Sequence, residues 1–310
     1  MQSKITINLN ILTLDRLFPG GVKAVIDKAR AIEDANIDGI VMPDHVVFGS
    51  NVTYPFGGWP VNPADTWPEP MTVLAAAAAV TQKVALLTNV LIAPLRPAPV
   101  LAKQVATLHQ LSGGRFQLGV GTGWQKEEYA ACGFDFAQRS EVLFEQMQAC
   151  HSLWYEQPAH FNGRHVRFDE TWCSPGLHHL PDEQRMPLWF GIAPTAANAR
   201  FFAQFDAGWS CINPDPDFIA RGRDSLQTAL REQFGITRPL RIRAAPYIAC
   251  DETGHASVEH TLQNLPRSIA AGVTDFDFPM LFFVPDAARF DTVIQALGRI
   301  DRRIDHHIGR

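Results

Sequence analysis

The sequence predicts a closed (β/α)8 barrel, built as one domain over residues 1–310. Three observations carry that reading. Strand-like and helix-like segments alternate along the chain, the pattern of a parallel sheet covered by helices. The alternation runs through eight strand–helix steps. The chain of 310 residues has the length of a barrel, and no tandem repeat, low-complexity tract or linker divides it. A doubly wound open sheet is the alternative that the same alternation allows.

Each element has its own signal. Lys4–Asn8 opens as a strand, and Val22, Val25, Ile26, Ala29 and Ile32 recur at helical spacing. Gly39–Met42 is the second strand, Met71–Thr81 a helix and Val84–Ile92 the third strand. Val100, Leu101, Val105, Leu108 and Leu111 mark a helix that Gly113-Gly114 stops. Arg115–Gly121 is the fourth strand, followed by helical patterns over Glu127–Ala131 and Ser140–Trp154. An irregular insertion of about 157–186 comes next, with a short strand expected at Val166–Phe168. The alternation then resumes with strands at Leu188–Ile192, Trp209–Ile212, Leu240–Cys250 and Phe276–Phe283. Their helices are Ala196–Phe205, Asp215–Phe234, Ala256–Ala271 and Ala287–Ile304.

Composition narrows the function. The formal net charge is −5, from 27 Lys plus Arg against 32 Asp plus Glu. A nucleic-acid binder would show a basic surplus, so no nucleic-acid partner is expected. The longest apolar run, Thr72–Val80, is too short for a bilayer, and the first ten residues are not a secretory signal. Cys132, Cys150, Cys173, Cys211 and Cys250 are dispersed with no CxxC spacing. That pattern reads as reduced thiols in a cytoplasmic protein, with neither membrane nor metal.

A barrel puts its chemistry in the loops after strand C-termini. The loop after the second strand begins Pro43-Asp44-His45, which sets an imidazole at the mouth. Histidine titrates nearest neutrality and suits proton transfer. An Asp that caps a turn beside an ordinary loop His is the plainer account. The rest of the loop, 46–70, holds Phe48, Tyr54, Phe56, Trp59 and Trp67. So aromatic a loop is either a lid over an apolar substrate or a subunit interface. After the fourth strand, Gly119, Gly121 and Gly123 precede Trp124 without forming GxGxxG. They let a ligand approach the backbone, or they serve tight packing at a barrel corner. After the fifth strand, Ala193, Pro194 and Thr195 precede a helix start, a place for phosphate or simply a capped helix. Glu127-Glu128 read as solvating the start of a helix, and the adjacent His178-His179 lack the spacing of a metal pair. No GxSxG or HExxH occurs.

Three blocks then make the chain resemble the bacterial luciferase-like family of flavin and deazaflavin oxidoreductases. They are MPDHVV at 42–47, ALLTNVLIAPLRPAPVLAKQVATLHQLSGGRFQLGVGTGW at 85–124, and PLWFGIAPTAANARFFAQFDAGW at 187–209. The stretch from Gly119 into Arg139 is most similar to the deazaflavin-dependent subgroup. The resemblance implies a TIM barrel with the cofactor, FMN or coenzyme F420, at its C-terminal mouth. It implies that Asp44 and His45 face the ring as the catalytic pair. It implies a non-prolyl cis peptide at Asn89–Val90 behind the ring. Gly121, Thr122, Gly123 and Trp124 would border the cofactor, and Ala193, Pro194 and Thr195 would hold its phosphate, although Pro194 removes a donor there. The implied activity is a monooxygenase using reduced FMN and oxygen on a small, largely apolar organic substrate, with F420-dependent hydride transfer as the alternative. A separate flavin reductase and a homodimer are expected with it. A non-catalytic flavin-binding barrel, or a barrel lyase or isomerase without flavin, would be the readings outside this chemistry.

Overall fold

Eight parallel strands close into a barrel in the computed structural model, which describes residues 4–50, 52–55, 62–181 and 184–302. They are β1 (Thr6–Asn10), β2 (Gly39–Met42), β3 (Ala85–Ile92), β4 (Phe116–Gly121), β7 (Leu188–Gly191), β8 (Gly208–Cys211), β9 (Ile242–Ala244) and β10 (Asp275–Pro279). Neighbours follow chain order, and β1 pairs with β10 to close the ring, Thr6 opposite Asp275. An open doubly wound sheet is thereby excluded.

The helices form where the sequence supplies a start and an apolar stripe. In α1 (Val22–Asp34), Val25, Ala29 and Ile32 recur on the buried face. In α2 (Pro70–Val80), Pro70 stands in the first turn and the Glu69 carboxylate caps the Thr72 N–H at 2.7 Å. α3 (Ala98–Leu111) ends at Ser112, with Gly113 and Gly114 at positive φ just beyond. α4 (Lys126–Cys132) and α5 (Arg139–Tyr155) follow β4. α6 (Ala199–Gln204), α7 (Pro216–Phe234), α8 (Val258–Ala270), a one-turn α9 (Met280–Phe283) and α10 (Phe290–Gly298) complete the set.

Three expectations change. The strand expected over Leu240–Cys250 is only Ile242–Ala244, since Pro246 has no N–H to give the ladder. The strand expected over Phe276–Phe283 stops at Pro279, and its last four residues turn into α9. The insertion carries a two-stranded antiparallel hairpin, β5 (Ala159–Asn162) with β6 (Arg167–Thr171), larger than the expected strand. The Glu145 carboxylate on α5 organises its turn by accepting from the N–H groups of Arg164, His165 and Val166 at 2.6–2.9 Å. Short-range periodicity cannot register such a long-range anchor.

The barrel interior is unusually polar for a fold whose core is normally branched aliphatic. Arg243 is buried on β9 and reaches Asp277 at 3.0 Å, Gln117 at 3.3 Å and Asp275 at 3.4 Å. Asn8 on β1 donates to Asp277 at 3.0 Å. Burial, with Asp275 nearby, pushes the Asp277 carboxyl up to about 6, against the opposing pull of Arg243 and the side-chain amides of Asn8 and Asn89. This array lies beneath the mouth and supports it.

Candidate active site

Asp44 and His45 leave the end of β2 toward different partners. The Asp44 carboxylate is buried and accepts from the Ile92 N–H at 2.8 Å and from both terminal nitrogens of Arg96, at 2.7 and 3.0 Å. This two-pronged pair ties the exit of β2 to the exit of β3. Both carboxylate oxygens are therefore committed to the scaffold.

His45 is also buried, at 7% exposure. Its Nδ1 lies 3.0 Å from Glu128 Oε2 and 3.0 Å from the Gln125 side-chain nitrogen. Glu128 is fully buried, and its other oxygen accepts the Val46 N–H at 2.6 Å. Adjacent helical residues point about 100° apart, so on α4 Glu127 faces outward while Glu128 faces the mouth. The expectation that both glutamates solvate the helix start thus holds for Glu127 and fails for Glu128. A signal was present: Gln125, Glu128, Tyr129 and Cys132 follow an i, i+3, i+4, i+7 stripe, with polar residues where apolar ones are usual.

Aromatic side chains enclose the imidazole. Ring centroids of Phe48, Trp67 and Trp124 stand 4.4, 4.5 and 5.5 Å from that of His45. Tyr54 packs edge-on against Trp124 at 5.6 Å. Phe48 and Trp67, from the two described ends of the 46–70 loop, thus pack against His45. Phe56 and Trp59 lie outside the described residues. Arg16, in the loop after β1, holds the returning end through Asp65 at 2.5 Å and the Ala64 carbonyl at 2.8 Å.

The floor of the mouth is a bulge in β3. The Asn89–Val90 peptide is cis, as expected, and the register against β4 shifts between Thr88 and Leu91. The Thr88 hydroxyl donates to the Gly119 carbonyl at 2.9 Å and accepts the Gly119 N–H at 3.0 Å, bridging the interruption. Val90 lies over the glycines of β4 and β7: a Cβ on Gly121 or Gly191 would stand 2.7 Å from a Val90 methyl. A Cβ on Gly119 would stand 2.1 Å from the Thr88 carbonyl oxygen. Close packing of β3 thus accounts for Gly119 and Gly121, as one of the two sequence readings held. The Asn89 amide donates to Asp277 at 2.7 Å, and its oxygen accepts the Ser210 hydroxyl at 2.5 Å. The Thr122 carbonyl is occupied by the Tyr129 hydroxyl at 2.6 Å.

After β7, the Ala193 carbonyl accepts from the Thr195 N–H and the Asn198 side chain, both at 2.9 Å. Pro194 sits against α7, where a Cβ on Gly222 would approach it to 2.9 Å. Thr195 makes no side-chain capping bond, so its hydroxyl is not spent on the following turn. The structure brings Asp44, His45, Phe48, Tyr54, Trp67 and Trp124 into one cluster with Glu128 and Arg96, which the sequence did not single out. Among the described residues no group of three or more His, Cys, Asp or Glu side chains is placed to hold a metal, and no helix is long and apolar enough to cross a membrane.

Comparison with known proteins agrees with this geometry. An uncharacterised protein of Mycobacterium tuberculosis is 34% identical over 170 residues, which cover 51% of this chain and 58% of that protein. The chain therefore aligns with little more than half the length of that relative. An F420-dependent secondary alcohol dehydrogenase, solved with an F420–acetone adduct, superposes with a TM-score of 0.71 at 16% identity, covering 96% of this chain and 99% of that one. The oxygenating constituent of 3,6-diketocamphane monooxygenase from Pseudomonas putida, solved with FMN, gives 0.69 at 13% identity, covering 97% and 98%. At such identities the likeness is one of fold. The model of the luciferase-like monooxygenases matches residues 10–304, and the chain belongs to that family.

Proposed function

We propose that this chain is a flavin-type oxidoreductase that oxidises a small, largely apolar organic substrate at the mouth of its barrel, with His45 as the acid–base group. The observation that carries the reading is the buried His45: one ring nitrogen is held by Glu128, and the ring is walled by Phe48, Trp67 and Trp124 beside the β3 bulge. A proton-transfer group enclosed by aromatic rings suits water-excluding chemistry on an apolar substrate.

The residues fit a flat ring cofactor. The bulge at Asn89–Val90 and the aromatic wall offer surfaces to a ring system, and the Thr195 hydroxyl is available to an anionic tail. FMN and coenzyme F420, found in the two structural neighbours above, are the candidates. When bound, such a group supplies the redox chemistry; the protein contributes position, electrostatics and exclusion of water. Asn89, fixed between Asp277 and Ser210, supports the floor. His45 gives or takes a proton at the reacting oxygen, and the aromatic loop covers it. If FMN is the cofactor, a separate reductase is the partner that delivers it reduced.

Two measurements test the proposal. Titrating the protein with FMN and with F420, followed by absorbance and fluorescence, should give saturable binding for one of them. His45→Gln, which keeps a polar side chain in the crowded site, should then lower turnover by about 100- to 10,000-fold while leaving cofactor affinity nearly unchanged. Turnover equal to wild type would remove His45 from the reaction. Saturable binding with no oxidation across a panel of alcohols, ketones and aromatics would favour a cofactor-binding barrel without catalysis.

A further inference from the structure

Gln125 and Glu128 converge on the same nitrogen of His45, and their other contacts decide where the ring proton sits. The Gly49 N–H points at Gln125 Oε1 at 3.2 Å. A peptide N–H can only donate, so the amide oxygen faces Gly49 and the NH2 group faces the imidazole. Glu128 Oε1 accepts the Val46 N–H at 2.6 Å, and Oε2 lies 3.0 Å from Nδ1. A carboxylate only accepts. The two neighbours ask opposite things of Nδ1: with hydrogen on it, the charge-assisted bond to Oε2 is complete but the Gln125 NH2 group faces a second donor; with Nδ1 bare, that NH2 group can donate but a nitrogen lone pair faces a fully buried carboxylate oxygen. The carboxylate decides, because a bond to an ionised group is about twice as strong as a neutral one and a buried charge without its donor is the costlier loss. Among the described residues, the aromatic rings of Phe48, Trp67 and Trp124 also pack against the imidazole.

We infer that Glu128 is a positioning residue that keeps the His45 proton on Nδ1 and leaves Nε2 bare toward the mouth. The inference builds on the proposed role of His45. Its consequence is directional: His45 meets the substrate as a proton acceptor. A substrate O–H gives its proton to Nε2, the electron pair stays on the substrate oxygen, and the resulting imidazolium lies against Glu128. Gln125, whose amide oxygen accepts the Gly49 N–H, then packs beside Nδ1 without a hydrogen bond to it. A buried carboxylate that selects an imidazole tautomer is an established device, and replacing one by its amide costs about 10⁴-fold in a hydrolytic triad.

The test reads the tautomer directly. Long-range proton–nitrogen spectra of the full chain labelled with [15N]histidine, recorded without cofactor, distinguish the protonated ring nitrogen from the bare one; His45→Gln identifies the His45 signals by their loss. In wild type the bare nitrogen should be Nε2. Glu128→Gln, close in shape, should shift the ring toward the form protonated on Nε2. In the cofactor-loaded protein it should lower kcat by about 10²- to 10⁴-fold with little change in KM. A wild-type ring protonated on Nε2, or a tautomer unmoved in Glu128→Gln, overturns the inference. The wild-type spectrum decides alone if the variant does not fold. A tautomer that moves in Glu128→Gln while His45→Gln turns over normally supports the placement of the proton and overturns the proposed role of His45.

Discussion

At the scale of single residues, the Asp-His dipeptide divides its labour. Asp44 is spent on Arg96 and the Ile92 N–H, while His45 is held by α4 and surrounded by rings. The two side chains should therefore fail differently. Asp44→Ala removes one partner of a buried pair and leaves Arg96 with Glu69 at 3.2 Å and the Ile92 carbonyl at 3.4 Å. Breaking such a pair costs about 3–5 kcal/mol, toward the lower figure here because Glu69 remains. Urea unfolding should show the midpoint falling with an unchanged slope. A stability equal to wild type would mean that Arg96 re-pairs without cost. The position of the Asp-His dipeptide was readable because a strand exit in a barrel is a functional address. Glu128 was not, because a buried glutamate on a short helix has the same local sequence as an exposed one until the helix is docked. Only the stripe that includes Tyr129 and Cys132 distinguished the two.

At the scale of elements, the junction of β3 with β4 is the least replaceable part of the scaffold. Thr88 stands in for ladder bonds that the bulge interrupts, giving one hydrogen bond and accepting another from Gly119. Thr88→Val keeps the shape and leaves a buried N–H and a buried carbonyl without this partner. At about 1–3 kcal/mol for each unsatisfied group, the variant should lose roughly 2–4 kcal/mol, read by thermal or urea unfolding. Gly119→Ala should be worse, since its Cβ meets backbone at 2.1 Å and backbone cannot swing aside. Little soluble protein is expected from it, and a soluble Gly119→Ala with native circular dichroism would show that the strand can shift. The order of elements was legible because each strand is a short apolar run between helices with their own start and stop signals. Where residues read wrongly, the causes differ. Pro246, visible in the sequence, ends β9 by lacking a ladder donor, whereas Glu145 builds a hairpin turn from the neighbouring helix, which is tertiary information.

At the scale of the molecule, the barrel carries a buried charge array where an aliphatic core would be more stable. Arg243, Asp277, Asp275, Asn8 and Gln117 link β9, β10, β1 and β4, and Asn89 joins the array to the floor of the site. Burial is the largest influence on Asp277 and lifts its carboxyl to about 6, from an ordinary value of 3.8. The sign of the consequence follows from proton binding. Between these values the folded chain holds a proton on Asp277 that the unfolded chain has released, so the contribution of this group to stability is greatest below about pH 4 and is lost as pH rises through about 6. The full loss is of order 3 kcal/mol, about 1.4 kcal/mol for each pH unit between the two values. Half-buried carboxylates such as Glu33 and Glu145 work in the opposite sense, because backbone N–H donors outweigh their desolvation and hold them below the ordinary range. The array is therefore read from a difference. Unfolding free energies of wild type and Asp277→Asn, measured by urea from pH 4 to pH 7, should diverge with pH, the wild type losing stability relative to the variant. Parallel curves would mean that Arg243 fully compensates the buried charge and that Asp277 stays ionised throughout. A divergence confined to that window would identify Asp277 as the titrating group beneath the site, coupled through Asn89 to the floor on which the cofactor would rest.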